Sequence, residues 1–149
     1  MRPVVVQVSI DRPAAEVFAY LDEVENNTAW LRGMRSCTWT TPPPRGVGSR
    51  YDQVAAFIGK EIRTSFEVTA REPGRMVTIT SLEGSSFPLT VTRLVEPTGP
   101  ASCRVTETVE SDPSGFYRIG APLLRLMVRR NIARDYRTLK RLLESAPTG

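Results

Sequence analysis

The pattern of apolar and polar positions predicts a strand and then a short helix at the beginning of the chain. Apolar side chains occupy every second position from 4 to 10, which is the period-two pattern of a strand with a buried face. Asp11, Arg12 and Pro13 end this pattern, and from Ala14 onward apolar residues recur at helical spacing. We therefore predict a strand, a helix over residues 13–22 and a second short helix over residues 26–31.

Six further segments with strand character follow, and turns rich in Gly, Pro and Ser separate them. They cover residues 36–41, 49–58, 61–72, 75–83, 87–96 and 102–111. Connections this short join neighbouring strands in antiparallel order. Together with the first strand, these segments predict one antiparallel sheet of seven strands.

The last predicted element is a long helix over residues 113–145, for which Asp112 offers an N-cap. One face of this helix is apolar along its whole length, at steps of three or four residues. Its members are Tyr117, Ala121, Leu124, Val128, Ile132, Tyr136, Leu139 and Leu143. We therefore predict an α+β fold in which one sheet grips the helix, an arrangement that tends to leave a cavity between the two.

Nearly all of the excess positive charge lies on this predicted helix. Residues 113–145 carry eight basic and two acidic side chains, a net charge of +6, whereas the rest of the chain carries 12 basic and 14 acidic residues. A surplus confined to one element argues against a protein that coats nucleic acid. We expect no nucleic-acid partner, and we expect Arg130, Arg134, Arg137 and Arg141 to face solvent.

The composition excludes several kinds of chemistry. The sequence contains no histidine, so the usual general base and the most common metal ligand are missing. Cys37 and Cys103 lie in predicted strands without CxxC spacing, which favours buried free thiols. We expect neither a metal nor a cofactor. No segment is apolar over enough residues to span a bilayer or to act as a secretory leader, so we expect a cytoplasmic protein.

The order of elements, together with several short motifs, resembles the START and birch-pollen-allergen superfamily, also called SRPBCC. The motifs are IDRPAAEVFAYLD at 10–22, Trp30, GVGSRY at 46–51, EVT at 67–69, EP at 72–73 and LKRLLE at 139–144. The bacterial polyketide cyclase/dehydrase-like branch is the most similar one. The resemblance implies a helix-grip fold, in which a bent antiparallel sheet wraps around the last helix and encloses a hydrophobic cavity, in a single domain over residues 1–149. It does not imply a reaction, because this fold serves very different ligands.

Strand alternation groups apolar and aromatic residues on single faces of four predicted strands, and these faces line the cavity if they are concave. The candidate ligand-binding residues, with those of the long helix, are Trp30, Tyr51, Gln53, Phe57, Phe66, Phe87, Arg93, Glu107, Tyr117, Leu124, Arg125 and Met127. Ordinary core packing is the competing interpretation for each aromatic residue. For Arg93 and Glu107 we favour an orientation toward water, produced by a bulge, because buried unpaired charges are costly.

The first half of the long helix is apolar almost all round, from residue 116 to residue 128. Its outer side would cover the cavity mouth, meet a partner subunit in a homodimer, or lie on a membrane surface. Packing against residues 26–34 is an equally good explanation. Arg125 projects into the apolar face on ideal helix geometry, as an anchor for a carboxylate or carbonyl, unless Pro122 shifts the register and exposes it.

Three functions remain open at this point. The leading hypothesis is a carrier or sensor that holds a hydrophobic small molecule, such as a lipid or polyketide, in the cavity. The second is a metal-independent polyketide cyclase or dehydratase that uses the same cavity. The third is a protein that interacts with an anionic membrane or RNA through the basic helix.

Overall fold

The structure is a computed structural model, and it describes residues 3–57, 59–84, 88–111 and 121–146. The chain forms seven strands, two α-helices and one 3₁₀-helix in this part. The strands are β1 (Val4–Ile10), β2 (Met34–Trp39), β3 (Arg50–Phe57), β4 (Lys60–Glu72), β5 (Met76–Ser81), β6 (Leu89–Gly99) and β7 (Ser102–Ser111). The helices are α1 (Ala14–Asp22), the 3₁₀-helix (Val24–Ala29) and α2 (Ala121–Ser145).

The strands form one antiparallel sheet in the order β1-β7-β6-β5-β4-β3-β2. Strands β2 to β7 follow one another as a meander, and β1 adds to the far edge by pairing with β7 from Val4 opposite Val109 to Ile10 opposite Cys103. The prediction of a seven-stranded antiparallel sheet is therefore confirmed.

Irregular pairing at three places bends the sheet. The register shifts between Met34 and Ser36, between Val68 and Ala70, and between Pro97 and Gly99. A bulge of this kind bends a strand and increases its twist. The sheet can therefore curl around a helix rather than lie flat against it.

Helix α2 lies along the concave side and packs against β1. Tyr136, Leu139 and Leu143 are buried on its inner face, as the spacing of apolar residues in the sequence predicts. The α+β helix-grip fold is confirmed. The basic outer face is confirmed in large part, because Arg130, Arg137 and Arg141 are exposed, but Arg134 is half-buried.

The turn between β1 and α1 contacts the end of α2. Arg12 donates from Nε to the Leu143 carbonyl at 2.8 Å, and its terminal nitrogen donates to the carbonyls of Glu144 and Ala146. The last carbonyls of a helix have no partner within the helix, so a guanidinium is well suited to this position. This contact ties the end of α2 to the turn that follows β1.

Some predicted boundaries change in the structure. The second short helix is a 3₁₀-helix that begins at Val24, two residues before the predicted start. The long helix is described from Ala121, and residues 112–120 of the prediction lie outside the described residues. Cys37 and Cys103 are buried free thiols, as predicted. Within the described residues, no helix combines the length and hydropathy needed to cross a membrane.

Candidate functional site

A cavity of about 270 Å³ lies between the concave face of the sheet and α2. This volume is close to the lower end of the range for small-molecule sites, about 300–1,000 Å³. Most of its lining is apolar, and the aliphatic side chains come from both the sheet and the helix. They include Val4, Ile62, Ile79, Leu89, Val91 and Ile132.

The alternation of side chains along each strand brings the lining residues to one face. Tyr51, Gln53 and Ala55 come from alternate positions of β3, because successive side chains point to opposite faces. The same alternation brings Leu89, Val91 and Arg93 to the cavity from β6, and Glu107 and Val109 from β7.

A buried ionic cluster forms one part of the wall. Arg93 on β6 lies directly opposite Glu107 on β7, and its Nε donates to Glu107 Oε1 at 2.9 Å. The Tyr136 hydroxyl of α2 donates to the same oxygen at 2.7 Å. Arg93 is only 8% exposed and Glu107 only 5%. The expectation that these two charges face water is therefore wrong, because each charge compensates the burial of the other.

Aromatic rings complete the surroundings of this cluster. The Arg93 guanidinium lies 5.1 Å from the centre of the Trp30 ring, and the Trp30 and Tyr136 ring centres are 4.9 Å apart. Burial and then the negative charge of Glu107 raise the pKa of Tyr136 well above its ordinary value. Burial alone would lower the pKa of Arg93, but Tyr136 and Glu107 outweigh it and raise that pKa. Both groups therefore stay protonated at neutral pH.

Among the described residues, two polar groups at the cavity wall have no hydrogen-bond partner within the protein. Tyr51 is fully buried and stacks on Phe66 at a ring-centre distance of 5.5 Å. Its hydroxyl and the side-chain oxygen of Asn27 are both buried without a partner, as is Trp30 Nε1 deeper in the core. Burial raises the pKa of Tyr51, so its hydroxyl is neutral. Such unsatisfied buried groups are few in folded proteins and call for an explanation.

The structure brings six of the candidate residues to the cavity: Tyr51, Gln53, Phe66, Arg93, Glu107 and Arg125. Arg125 is half-buried there and donates to the Pro3 carbonyl at 2.8 Å. Trp30 is buried beside the ionic cluster rather than on the cavity wall.

The other candidates lie elsewhere or outside the described part. Phe87 and Tyr117 lie outside the described residues. Phe57 belongs to β3 and Leu124 to α2, but their side chains also lie outside what the structure describes. Met127 lies on the outer side of α2, where it lines a surface depression away from the cavity.

This outer surface carries the apolar residues that are not needed for packing on the sheet. Leu123 is 73% exposed and Leu126 is 53% exposed. They border the same depression as Met127, together with Arg130 and Arg137. The packing of this side against residues 26–34 is therefore wrong for Leu123 and Leu126.

Sequence reasoning missed two polar residues at or beside the wall. Asn27 lies in the 3₁₀-helix, and nothing in its local sequence distinguishes a buried asparagine from an exposed one. Tyr136 was placed correctly on the apolar face of the helix, but its hydroxyl contact with Glu107 depends on how α2 lies across β7. A tyrosine within an aliphatic helix face is the signal that could have indicated a buried polar partner.

Comparison with solved structures finds the same fold in other proteins. The protein TTHA0849 from Thermus thermophilus is 19% identical with a TM-score of 0.81, and the match covers 97% of this chain and 99% of that one. A START superfamily protein from Mycobacterium smegmatis is 16% identical with a TM-score of 0.68, over 97% of this chain and 95% of that one. The Zhui aromatase/cyclase from Streptomyces sp. R1128 is 13% identical with a TM-score of 0.67, over 92% and 87%.

At these identities the likeness establishes the fold and nothing more specific. No curated protein matches the sequence. The family described as polyketide cyclase / dehydrase and lipid transport matches residues 1–144, which is nearly the whole chain. The chain therefore belongs to the polyketide cyclase/dehydrase and lipid transport family.

Proposed function

We propose that the protein binds a hydrophobic small molecule in the cavity between the sheet and α2 and acts as its carrier or sensor. The observation that carries the proposal is the cavity of about 270 Å³, whose lining is mostly aliphatic and aromatic. Protein cores are close-packed, so the space that remains between the sheet and α2 is a site that a ligand can occupy. The family description, which includes lipid transport, supports a ligand of this class.

The apolar wall can supply most of the binding energy. Burying about 300 Å² of hydrocarbon at about 25 cal/mol per Å² gives about 7.5 kcal/mol before the costs of ordering the ligand. Micromolar affinity corresponds to about 8 kcal/mol. One or two hydrogen bonds offset only part of the ordering cost, so the apolar wall supports micromolar or weaker affinity.

The direct test is to look for a ligand that the protein acquires in the cell. Protein purified without detergent is measured by native mass spectrometry and again after denaturation, and the organic extract is analysed for the released molecule. We expect a non-covalent mass increase that denaturation removes. The proposal fails if the protein carries no such ligand and also binds none of a panel of apolar dyes.

A second candidate function is a cyclase or dehydratase that acts on a reactive chain of carbonyl groups. Its support is the charged cluster of Arg93, Glu107 and Tyr136 beside the cavity, because an arginine and a tyrosine hydroxyl can stabilise or protonate an enolate oxygen. Glu107, Arg93 and Tyr51 are the residues to replace one at a time in a reconstituted synthase assay. Unchanged product after all three substitutions would exclude this function.

A further inference from the structure

The outer face of α2 begins with an exposed apolar patch. Leu123 and Leu126 are each more than half exposed, and residues three positions apart are neighbours on a helix surface. Met127 borders the same surface depression as these two leucines. Single exposed apolar residues are ordinary in folded proteins, but neighbouring ones on the side away from the sheet do not contribute to the core.

Arginines continue this face toward the end of the helix. Arg130, Arg137 and Arg141 follow Leu123 at steps of seven, seven and four residues, and this spacing keeps side chains on one side of a helix. All three arginines are exposed. Asp135 is the only acidic residue of the sequence between Leu123 and Arg141, and it is buried. The outer face therefore combines an apolar end with a row of positive charge.

The surface of an anionic bilayer is complementary to both parts of this face. Leucine side chains enter the boundary between lipid headgroups and acyl chains, and arginines bind the lipid phosphates. A single-stranded RNA would also bind the arginines through its phosphates, but it offers no aliphatic environment to the leucines. The arrangement of leucines beside arginines therefore favours a lipid surface over a nucleic acid.

A second copy of the chain is a poorer partner for the same face. A two-fold contact brings the same patch of both copies together. An overlap that covers the whole face would place the arginines of one copy close to those of the other. An overlap limited to the leucines and Met127 would involve few of the described residues, whereas a stable interface takes about 20–30 residues from each partner.

We propose that the outer face of α2, from Leu123 to Arg141, docks the protein on the surface of a bilayer that contains anionic lipid. The proposal goes beyond the proposed function and does not depend on a ligand in the cavity. The opposite side of the same helical turns lines the cavity through Arg125 and Val128. Docking would therefore hold the cavity about one helix diameter, about 10 Å, from the bilayer surface.

Flotation with lipid vesicles tests the proposal on the full chain. Vesicles of phosphatidylcholine alone are compared with vesicles of phosphatidylcholine and phosphatidylglycerol in equal parts, at about 0.1 M salt. We expect the protein to float with the phosphatidylglycerol vesicles only. Binding should weaken by at least about tenfold at about 1 M salt, because the Debye length falls to about 3 Å. Absence of binding to phosphatidylglycerol vesicles at the lower salt would overturn the proposal.

Two pairs of Arg→Gln substitutions separate this face from the net charge of the protein. Arg130→Gln combined with Arg137→Gln should weaken vesicle binding by about 25-fold, because an arginine at an anionic surface contributes about fivefold. Arg63→Gln combined with Arg104→Gln is the matched control, since it removes the same charge from exposed positions on β4 and β7. The control should weaken binding by less than about threefold, because distant charges are screened. Equal losses in the two pairs would contradict the proposal.

A substitution of Leu123 distinguishes a bilayer from the other occupants. Leu123→Gln should weaken vesicle binding by about tenfold, whereas Val47→Gln, at an exposed position before β3, should not change it. Unchanged vesicle binding by Leu123→Gln would mean that the arginines act alone, as they would on RNA, and the proposal would be wrong. A wild-type dimer that Leu123→Gln converts to a monomer in analytical ultracentrifugation would assign the face to a second copy and would also overturn it.

Discussion

At the scale of single residues, the buried pair of Arg93 and Glu107 shows where sequence reasoning succeeds and where it fails. Strand alternation correctly placed both residues on the concave side of the sheet. The cost of burying a lone charge favoured an orientation toward water instead. That expectation was wrong because the two residues lie opposite each other on β6 and β7 and neutralise each other. The pairing register of the two strands, and not the identity of either residue, therefore decides whether these charges are buried.

We predict that breaking this pair lowers the free energy of unfolding far more than breaking a surface ion pair does. Glu107→Gln leaves the Arg93 charge buried without a counter-ion and should reduce the free energy of unfolding by about 3–5 kcal/mol. Glu67→Gln, which breaks the partly exposed pair with Arg50, should change it by less than about 1 kcal/mol. Urea denaturation of both variants measures the difference, and equal effects would contradict the buried pairing.

Cys37 gives a prediction about pH. Burial raises the pKa of its thiol from 9.0 to about 11, so the folded state favours the protonated thiol. Its contribution to stability is complete below pH 9 and is lost as the pH rises toward 11. At about 1.4 kcal/mol per pH unit, the loss amounts to about 2–3 kcal/mol.

The measurement is the free energy of unfolding of wild type and Cys37→Ala over this range of pH. Tyrosine ionisation affects both proteins equally. The difference between their free energies of unfolding at each pH therefore reports the contribution of Cys37. We expect the gap to narrow from pH 9 upward. A constant gap would show that the thiol is not buried.

At the scale of elements, α2 was predicted well because its pattern spans many turns. The apolar steps of three and four residues correctly identified Tyr136, Leu139 and Leu143 as buried. The outer side of the helix was harder to interpret, because its leucines satisfy the same periodic rules as core residues. Only the position of the sheet shows that Leu123 and Leu126 are exposed.

Two leucines of α2 provide a matched test of this assignment. Leu139→Ala removes a fully buried side chain and should reduce the free energy of unfolding by about 2–5 kcal/mol. Leu123→Ala, at a position that is 73% exposed, should change it by less than about 0.5 kcal/mol. Both are measured by urea denaturation, and a large effect of Leu123→Ala would mean that this surface is covered.

At the scale of the whole molecule, the sequence predicted the fold class and the presence of a cavity, but not its polar contacts. Periodicity and short turns determine a meander and a long helix, and a long helix against a curled sheet leaves space between them. The polar contacts depend on residues from different elements, such as Asn27 in the 3₁₀-helix and Tyr51 on β3. No local sequence pattern indicates that these two residues line the same cavity.

The central claim is that the space between the sheet and α2 holds an apolar ligand. Ala55 lines the cavity, so Ala55→Trp fills part of it, whereas Val47→Trp adds the same ring at a position that is 66% exposed. Titration of N-phenyl-1-naphthylamine into the wild type and both variants, each checked for folding by circular dichroism, tests the claim most directly. We predict saturable binding to wild type and Val47→Trp, and at least about tenfold weaker binding to Ala55→Trp, the loss expected if roughly 60 Å² of apolar contact disappears. Equal binding to all three proteins would place the dye outside the cavity and contradict the account.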